Sequence, residues 1–435
     1  MSKIWRFFLT ISLLLTASPR NCIAQDHADD DIVFTAKPSR KDAIFNRGEK
    51  IIYDLDLKNN LIGTQAGTVG YMIMNLENKV LDQGSVQINL KTKQTKSVTL
   101  SIPSQPAAGF YKVNLLINVT EYDDTLRRVV GVDVKNIKSQ TPKPADFDQF
   151  WANAKDSLAM IPMQPKVTLQ PSKERKGLVC YLVEVKSWNN ITIRGWLTMS
   201  KKLKPGKKVP VWLAFAGYGD YGLEPIYGGE DIAILAFNVR GQANSRDVVN
   251  PSREGYLTTD IQNRYKYILR GAILDVIRAV DFIVSRPELD GENILSWGSS
   301  MGGYLSIAAA SLDKRIKMCA AFNPCFSDFR SLTGNKEWPM RKIEEYSAQR
   351  RIPLNKILSN LDYYDIKNFA VNLKCNSLMG IGLLDHLAPP TNSFILVNNL
   401  TNKNKLFIYP DHGHDVPRTI SGYLNSWMFD SFGVF

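Results

Sequence analysis

Histidine is scarce in this 435-residue chain, which contains four histidines and five cysteines. Most of these few histidines are assigned to other roles below and leave no set of metal ligands, so we expect neither a metal ion nor another cofactor. Beyond the N-terminus no segment is apolar enough to cross a membrane, and no internal repeat or low-complexity tract occurs. The composition is that of an ordinary globular protein, and the length favours two domains.

The first 24 residues have the features of a signal peptide. Lys3 and Arg6 precede an apolar stretch at residues 7–15, which is too short to span a bilayer but suits the core of an export signal. Ala24 offers a cleavage point. Cys22 raises the alternative of a lipid anchor, but the Pro-Arg-Asn before it does not suit lipoprotein processing. We therefore predict a cleaved signal peptide at residues 1–24 and an exported protein, periplasmic or extracellular.

Basic residues outnumber acidic ones, which gives a formal net charge of +12. Loss of residues 1–24, which contain three basic residues and no acidic one, leaves +9. A polyanion partner must therefore be considered. The basic residues are spread along the chain, however, and the densest run, at residues 201–208, lies in a Pro-Gly loop and is interpreted as a solvated turn. We predict no nucleic-acid binding.

Cysteine pairing stays open at this level. In an exported protein the cysteines at positions 180, 319, 325 and 375 could form disulfides in three possible connectivities. Three of them lie in strongly apolar segments, where a buried free thiol is the simpler interpretation.

Residues 32–136 are predicted to form a β-sandwich of immunoglobulin size. Short segments alternate between apolar and polar residues, are separated by turn signals and have no helical pattern between them. The region contains no histidine, so a binding or packing role is favoured over a catalytic one. The alternating segments are residues 51–57, 86–90, 98–102 and 111–119.

Residues 145–435 are predicted to form an α/β domain. A Pro-rich linker at residues 141–144 precedes it, and a helix is predicted from Phe147. From about residue 175, strands are expected to alternate with helices, which indicates a mostly parallel sheet. Residues 268–284 have apolar residues at helical spacing. Short apolar runs typical of buried parallel strands lie at residues 209–215, 232–238, 294–297, 377–384 and 405–409.

The segment Gly298-Ser-Ser-Met-Gly302 fits the G-x-S-x-G pattern of a nucleophile elbow. In such an elbow a strand turns sharply into a helix, so the residues two before and two after the serine must be small. Here both are glycine, residues 294–297 predict the strand, and the alanine-rich residues 304–312 predict the helix. We therefore predict Ser300 as the nucleophile. The alternative is a tight glycine turn without a reactive serine, and Ser299 lacks the preceding glycine.

A serine nucleophile needs a base. His27 lies in the N-terminal tail, which leaves His386, His412 and His414. Residues 409–415 directly follow the last predicted strand, where a hydrolase of this type carries its base, and a glycine before His414 lets the loop approach the serine. We predict His414 as the base, with His412 as the alternative. A surface histidine pair without a catalytic role is the structural alternative.

The acid that orients the base should follow the strand before the histidine strand. Asp385 stands at the end of the run at residues 377–384. The order Ser, Asp, His is that of the α/β-hydrolase fold rather than of the trypsin or subtilisin folds. Asp362 and Asp365 are rival candidates in a helical, aromatic stretch. His386, next to Asp385, is interpreted as a loop residue.

An oxyanion formed during acyl transfer needs backbone N–H donors already in place. The Met301 amide, at the start of the elbow helix, is one predicted donor, and the Tyr218 amide, after strand 209–215, is the other. The same loop contains Gly217-x-Gly219-x-x-Gly222, a dinucleotide-binding pattern. Pro225 and two glycines follow instead of a helix, so no dinucleotide is predicted.

As an ordered set these motifs resemble the acetyl xylan esterase and cephalosporin C deacetylase family, carbohydrate esterase family seven. The resemblance covers about residues 145–430. It implies a triad of Ser300, Asp385 and His414, an oxyanion hole of the Tyr218 and Met301 amides, and release of acetyl groups from sugar hydroxyls. The matching segments are residues 147–151, 217–219, 240–242, 267–281, 298–302, 328–329, 385 with 389–390, and 409–414.

Two positions depart from the family pattern: Met301 stands where glutamine is usual, and Ala243 stands where glycine is usual. Family members often consist of the catalytic domain alone and form ring-shaped hexamers, so a homo-oligomer is one expectation. Two other functions stay open. The chain could be a different acyl hydrolase, such as a thioesterase or peptidase, or an inactive carbohydrate-binding protein, although the intact Ser-Asp-His set argues against the latter.

Overall fold

The computed structural model describes residues 31–219, 221–247, 249–251 and 255–433. The predicted signal peptide, residues 1–24, lies outside these residues. Within the described ranges no helix is long and apolar enough to cross a membrane. The chain forms an N-terminal β-sandwich and a larger α/β domain built on a nine-stranded sheet, which confirms the predicted fold class.

The β-sandwich consists of two sheets whose strands alternate between inward and outward side chains. Its strands are β1 (Ile32–Pro38), β2 (Ile44–Phe45), β3 (Ile51–Asn59), β4 (Gln65–Met74), β5 (Val80–Leu90), β6 (Thr95–Ile102), β7 (Gly109–Val119) and β8 (Tyr122–Val132). In β3, Tyr53 and Leu55 are buried and Asp54 between them is exposed, because successive side chains of a strand point to opposite faces. The strand orders are β1-β3-β6 and β2-β8-β7-β4-β5.

The α/β domain is organised around one sheet. Its strands are β9 (Lys166–Leu169), β10 (Leu178–Lys186), β11 (Thr192–Ser200), β12 (Val209–Phe215), β13 (Ala233–Asn238), β14 (Leu289–Ser299), β15 (Ile316–Phe322), β16 (Asn376–Gly382) and β17 (Asn404–Tyr409). They lie in the order β17-β16-β15-β14-β12-β13-β11-β10-β9, and the six strands from β12 to β17 are parallel. Both faces of these central strands are buried, which explains their continuous apolar sequences.

The start of this sheet differs from the sequence-based expectation. From about residue 175 we expected strands to alternate with helices, but β9, β10 and β11 are consecutive antiparallel strands. The connection between β10 and β11 is only residues 187–191, and Asn189 and Asn190 reverse the chain there with positive φ. A connection of this length joins antiparallel neighbours and is too short for a crossover helix.

Helices cover both faces of the sheet. They are α1 (Phe147–Ala159), α2 (Ile268–Ser285), α3 (Met301–Leu312), α4 (Met340–Arg350), α5 (Leu354–Leu361), α6 (Ile366–Ala370), α7 (Pro390–Asn398) and α8 (Thr419–Phe432). α1, α2 and α3 pack in the largest apolar cluster, whereas Trp212 and Trp297 of the sheet pack with α8 on the other side. The parallel strands β14, β16 and β17 end at the same edge, so the loops that follow them meet there.

An apolar cluster joins the β-sandwich to the α/β domain. Ile381 and Leu383 at the end of β16 and Phe394 and Ile395 of α7 belong to the same buried cluster as the sandwich core. The rings of Phe110 and Phe394 lie 5.3 Å apart. The core of the sandwich therefore extends into the end of β16 and into α7.

Polar contacts at the linker strengthen this junction. The Asn398 side-chain amide donates to the carbonyl oxygens of Val134 and Ile137, at 2.8 Å in each case. The Lys367 ammonium donates to the Thr141 carbonyl at 3.1 Å. These bonds fix the chain between the sandwich and α1 against α6 and α7.

Candidate active site

Ser300 lies at a sharp turn between β14 and α3. Its backbone has φ 57° and ψ −121°, a conformation that a residue with a side chain rarely adopts and that is typical of strained functional positions. A Cβ atom at Gly298 would lie 2.3 Å from the Gly302 carbonyl carbon, and one at Gly302 would lie 2.4 Å from the Phe215 oxygen. Only glycine fits at either position, which is the steric reason for the G-x-S-x-G pattern.

The structure brings the three predicted triad side chains together. His414 Nε2 lies 2.8 Å from Ser300 Oγ, and His414 Nδ1 lies 2.7 Å from Asp385 Oδ2. Asp385 is 3% exposed, and its other oxygen accepts the N–H groups of Leu387 and Ala388 at 2.9 and 2.8 Å. A carboxylate only accepts, so Nδ1 carries the imidazole proton and Nε2 is free to accept the serine proton.

The loop that carries His414, residues 410–415, is anchored to the end of the sheet. The Leu384 N–H donates to the His412 carbonyl at 2.9 Å, and the Asn323 side-chain amide donates to the Asp415 carbonyl at 2.8 Å. Asn323 also accepts the Gly382 N–H at 2.9 Å. Sequence reasoning missed Asn323; the signal that could have found it is a polar residue placed directly after a buried apolar strand.

The Gly382→Ala substitution is expected to lower kcat by roughly 10- to 100-fold without touching a triad residue. A Cβ atom at Gly382 would lie 2.2 Å from the Gly413 oxygen and 2.6 Å from the His412 oxygen, so the loop must move. A displacement of about 1 Å in a catalytic group costs up to about 100-fold in rate. Steady-state kinetics on p-nitrophenyl acetate measures the effect. Gly422→Ala in α8, where the added methyl meets no atom within 4 Å, is the matched control. Unchanged kcat in Gly382→Ala would contradict the steric argument.

The rival candidates have other partners. His412 Nδ1 lies 2.6 Å from Asp415 Oδ2 in an exposed pair, and His386 is exposed. Asp365 caps α6 and accepts the backbone N–H groups of Asp328 and Phe329, and burial raises its pKa to about 6. Asp362 pairs with the Arg330 guanidinium at 2.8 Å. Each of these contacts is separate from the Ser300–His414–Asp385 series.

The two predicted oxyanion donors lie on the elbow helix and on a neighbouring loop. Met301 is the first residue of α3, where N–H groups have no carbonyl one turn earlier to bond to. The loop with Tyr218 follows β12, which pairs with β14, and a Cβ atom at Gly217 would lie 4.0 Å from the Ser299 oxygen. The Gln242 side chain donates to the Gly217 carbonyl at 2.8 Å and so supports this loop.

Aromatic side chains pack beside the elbow. The Trp338 ring lies 4.9 Å from the Tyr218 ring and 5.4 Å from the Phe326 ring. The Tyr218 hydroxyl accepts the Leu257 N–H at 3.0 Å. These contacts hold the side chain of Tyr218, whose amide is a predicted oxyanion donor.

The cysteines of the described residues, at positions 180, 319, 325 and 375, are free thiols, and the first three are buried. Cys325 is the one next to the elbow, with its N–H 3.4 Å from the Ser300 carbonyl oxygen. Burial raises the pKa of the Cys325 thiol well above its usual range, so the thiol stays protonated and is a poor nucleophile.

The described residues contain no group of three His, Cys, Asp or Glu side chains arranged to hold a metal ion. The glycine pattern at residues 217–222 runs into a stretch without helix at residues 221–229. A Cβ atom at Gly222 would lie 2.2 Å from Asn238 Oδ1, so this glycine serves a close packing contact.

Comparison with known proteins gives matches over the α/β domain. Residues 131–428 match the family model described as "Acetyl xylan esterase (AXE1)". The acetyl esterase Axe7A of Xylanibacter ruminicola is 28% identical over 298 residues, which are 66% of this chain and 66% of that protein. The polyketide transferase ATR5 of Stachybotrys chlorohalonatus is 30% identical over 142 residues, which are 33% of this chain and 43% of that protein. The chain thus spans less than two thirds of the length of these curated relatives.

Two solved structures each match 68% of the chain. The acetyl xylan esterase from Paenibacillus sp. R4 is 28% identical, with a TM-score of 0.61, over 68% of this chain and 97% of that one. Acetyl xylan esterase 1 from Thermoanaerobacterium sp. JW/SL YS485 shares the fold, with 24% identity, a TM-score of 0.63 and the same coverage of both chains.

Proposed function

Because this chain belongs to the acetyl xylan esterase (AXE1) family, we propose that it removes acetyl groups from acetylated xylo-oligosaccharides or related small O-acetyl esters. The proposal makes it a carboxylic ester hydrolase that works through an acyl-Ser300 intermediate. The observation that carries it is the hydrogen-bonded series from Ser300 Oγ through His414 to Asp385. That series is what a serine needs to act as a nucleophile at neutral pH.

In the proposed mechanism Ser300 Oγ attacks the acetyl carbonyl carbon while His414 Nε2 accepts the hydroxyl proton. The negative charge that develops on the carbonyl oxygen is stabilised by the Tyr218 and Met301 amides. His414 then donates its proton to the sugar oxygen, which leaves as a hydroxyl. A water molecule, activated by the same imidazole, hydrolyses acetyl-Ser300 and releases acetate. Asp385 holds the imidazole in the required tautomer and stabilises its charged form.

We propose that the acyl side of the site accepts short groups. Supporting this, the Trp338 ring packs against the Tyr218 ring beside the elbow and also contacts the buried Phe326 ring. Bulky rings held by mutual contacts leave little room for a long acyl chain, whereas an acetyl group has two carbons. The preference is therefore for small esters.

Export is part of the proposal. Its support is the basic and apolar sequence of residues 1–24 and the cleavage point at Ala24. A polymeric xylan cannot enter a cell, so a deacetylase acting on it or on its fragments belongs in the periplasm or outside. A homo-oligomer is likewise proposed on family resemblance alone.

The test is acetate release from acetylated xylan, compared with other acetylated glycans and with p-nitrophenyl esters of increasing chain length. We expect acetate from acetylated xylo-oligosaccharides. We also expect at least about a 10-fold fall in kcat/KM from acetyl to octanoyl esters, since a long acyl chain would collide with the Trp338 and Tyr218 rings. Hydrolysis of thioesters or peptides, with no acetate from any acetylated sugar, would favour the alternative acyl hydrolase.

A further inference from the structure

The apolar core of the β-sandwich extends to the ends of the strands that precede the acid and the base. Ile381 and Leu383, at the end of the strand that precedes Asp385, are buried in the cluster that contains the sandwich core. Ile408, near the end of the strand that precedes His414, packs against the same cluster. The sandwich thus lies against the segment of the α/β domain from which two of the three triad side chains project.

One ion pair extends this contact to the histidine loop itself. Arg128 lies on β8 opposite Val113 of β7, and its side chain is 16% exposed. Its Nε lies 2.9 Å from Oδ1 of Asp411, an ion pair in which the Nε–H does not have hydrogen-bond geometry, and its Nη1 donates to the Arg127 carbonyl at 2.9 Å. The guanidinium is therefore anchored to its own strand and attracts the Asp411 carboxylate by charge.

Asp411 stands three residues before His414, in the same loop. The two backbone anchors described above act at the carbonyl groups of His412 and Asp415 and come from the α/β domain. The Asp411 contact is an anchor that comes from the sandwich. Asp411 and Asp415 are exposed, and His412 is partly exposed. The outer side of the loop therefore faces solvent.

We propose that Arg128 is a positioning residue for His414. Through Asp411 it holds the loop at residues 410–415 in the geometry that keeps Nε2 within hydrogen-bond distance of Ser300 Oγ. This inference rests on the proposed function, because it assigns the β-sandwich a part in that same reaction. The sandwich is then a component of the catalytic apparatus.

The expected result of removing the ion pair is a fall in kcat of about 5- to 20-fold with KM changed less than about 2-fold. The loss falls on kcat because a small displacement of the base weakens proton transfer in the transition state but alters no substrate contact. Arg128→Met keeps the apolar stem over the sandwich edge and removes the charge. Asp411→Asn changes an exposed loop residue and is not expected to affect folding.

Both variants and the double variant are assayed on p-nitrophenyl acetate, with thermal unfolding measured in parallel. The double variant is expected to equal the worse single variant, since both remove the same interaction. Arg128→Lys should recover at least half of the loss, because an ammonium can still pair with Asp411. Arg127→Met is the matched control, as Arg127 is the exposed neighbour on the same strand.

Single variants within about 2-fold of the wild-type kcat, losses that multiply in the double variant, or an equal loss in Arg127→Met would overturn the proposal. Its failure is distinguishable from failure of the proposed function. If the wild type hydrolyses p-nitrophenyl acetate but releases no acetate from any glycan, the substrate class is wrong while the positioning role is still decided by these variants.

Discussion

Replacing Ser300 with alanine is expected to lower kcat for p-nitrophenyl acetate by about 10⁴-fold or more. The hydroxyl is the atom that forms the acyl-enzyme, and its contact with His414 Nε2 at 2.8 Å is the first step of the proposed proton transfer. The fold should be unaffected, because alanine keeps the Cβ atom and the strained backbone is already tolerated with serine. Thermal unfolding measured beside the kinetics separates the two effects.

Ser299→Ala is the matched control for this prediction. Ser299 is the partly exposed neighbour on the same turn and should keep activity within about 3-fold, the range of ordinary surface changes. Full turnover in Ser300→Ala, or a large loss in Ser299→Ala, would show that the nucleophile has been assigned to the wrong residue. Labelling by a fluorophosphonate gives an independent measurement, since the probe forms a covalent bond with the reactive serine alone.

Asp385→Asn is expected to lower kcat by about 10³- to 10⁴-fold with little effect on KM. In the native structure one Asp385 oxygen accepts two backbone N–H groups and the other faces His414 Nδ1. An asparagine in this place would keep its oxygen on the two amides and turn its NH₂ toward Nδ1. The imidazole proton would then move to Nε2, which could no longer accept the proton of Ser300.

Asp415→Asn is the control, because Asp415 forms the second histidine–aspartate pair of the same loop. Its side chain contacts His412, and its carbonyl contact with Asn323 does not depend on the side chain. Activity within about 3-fold of wild type is expected, as for other exposed pairs. If Asp415→Asn lost activity and Asp385→Asn kept it, His412 would be the base. Steady-state kinetics at several pH values distinguishes the two outcomes.

Much of the fold followed from local sequence patterns. The alternation in residues 51–57 predicted a strand with one buried face, and the continuous apolar run at residues 209–215 predicted a strand with two. The nucleophile elbow was predictable for a different reason. The backbone at Gly298 and Gly302 excludes every side chain, so the chemistry leaves a short and specific signature in the sequence.

Other features depend on contacts between distant parts of the chain and leave no local pattern. Asn323 is a single polar residue directly after β15. Its role depends on hydrogen bonds to Gly382, at the end of β16, and to Asp415, in the loop after β17. Arg128 and Asp411 lie in different domains, and neither has a neighbour in sequence that indicates the other. The family resemblance is confirmed by the match to residues 131–428, a range that excludes nearly all of the sandwich.

The apolar cluster between the β-sandwich and the α/β domain limits how far this protein can be truncated. A fragment beginning at residue 145 would expose Ile381, Leu383, Phe394 and Ile395 to water, at a cost of about 1.5–3 kcal/mol for each side chain. An exposed apolar patch of this kind promotes self-association of the fragment. A sandwich taken from another enzyme could replace this one only if it presented a matching apolar face to these four side chains.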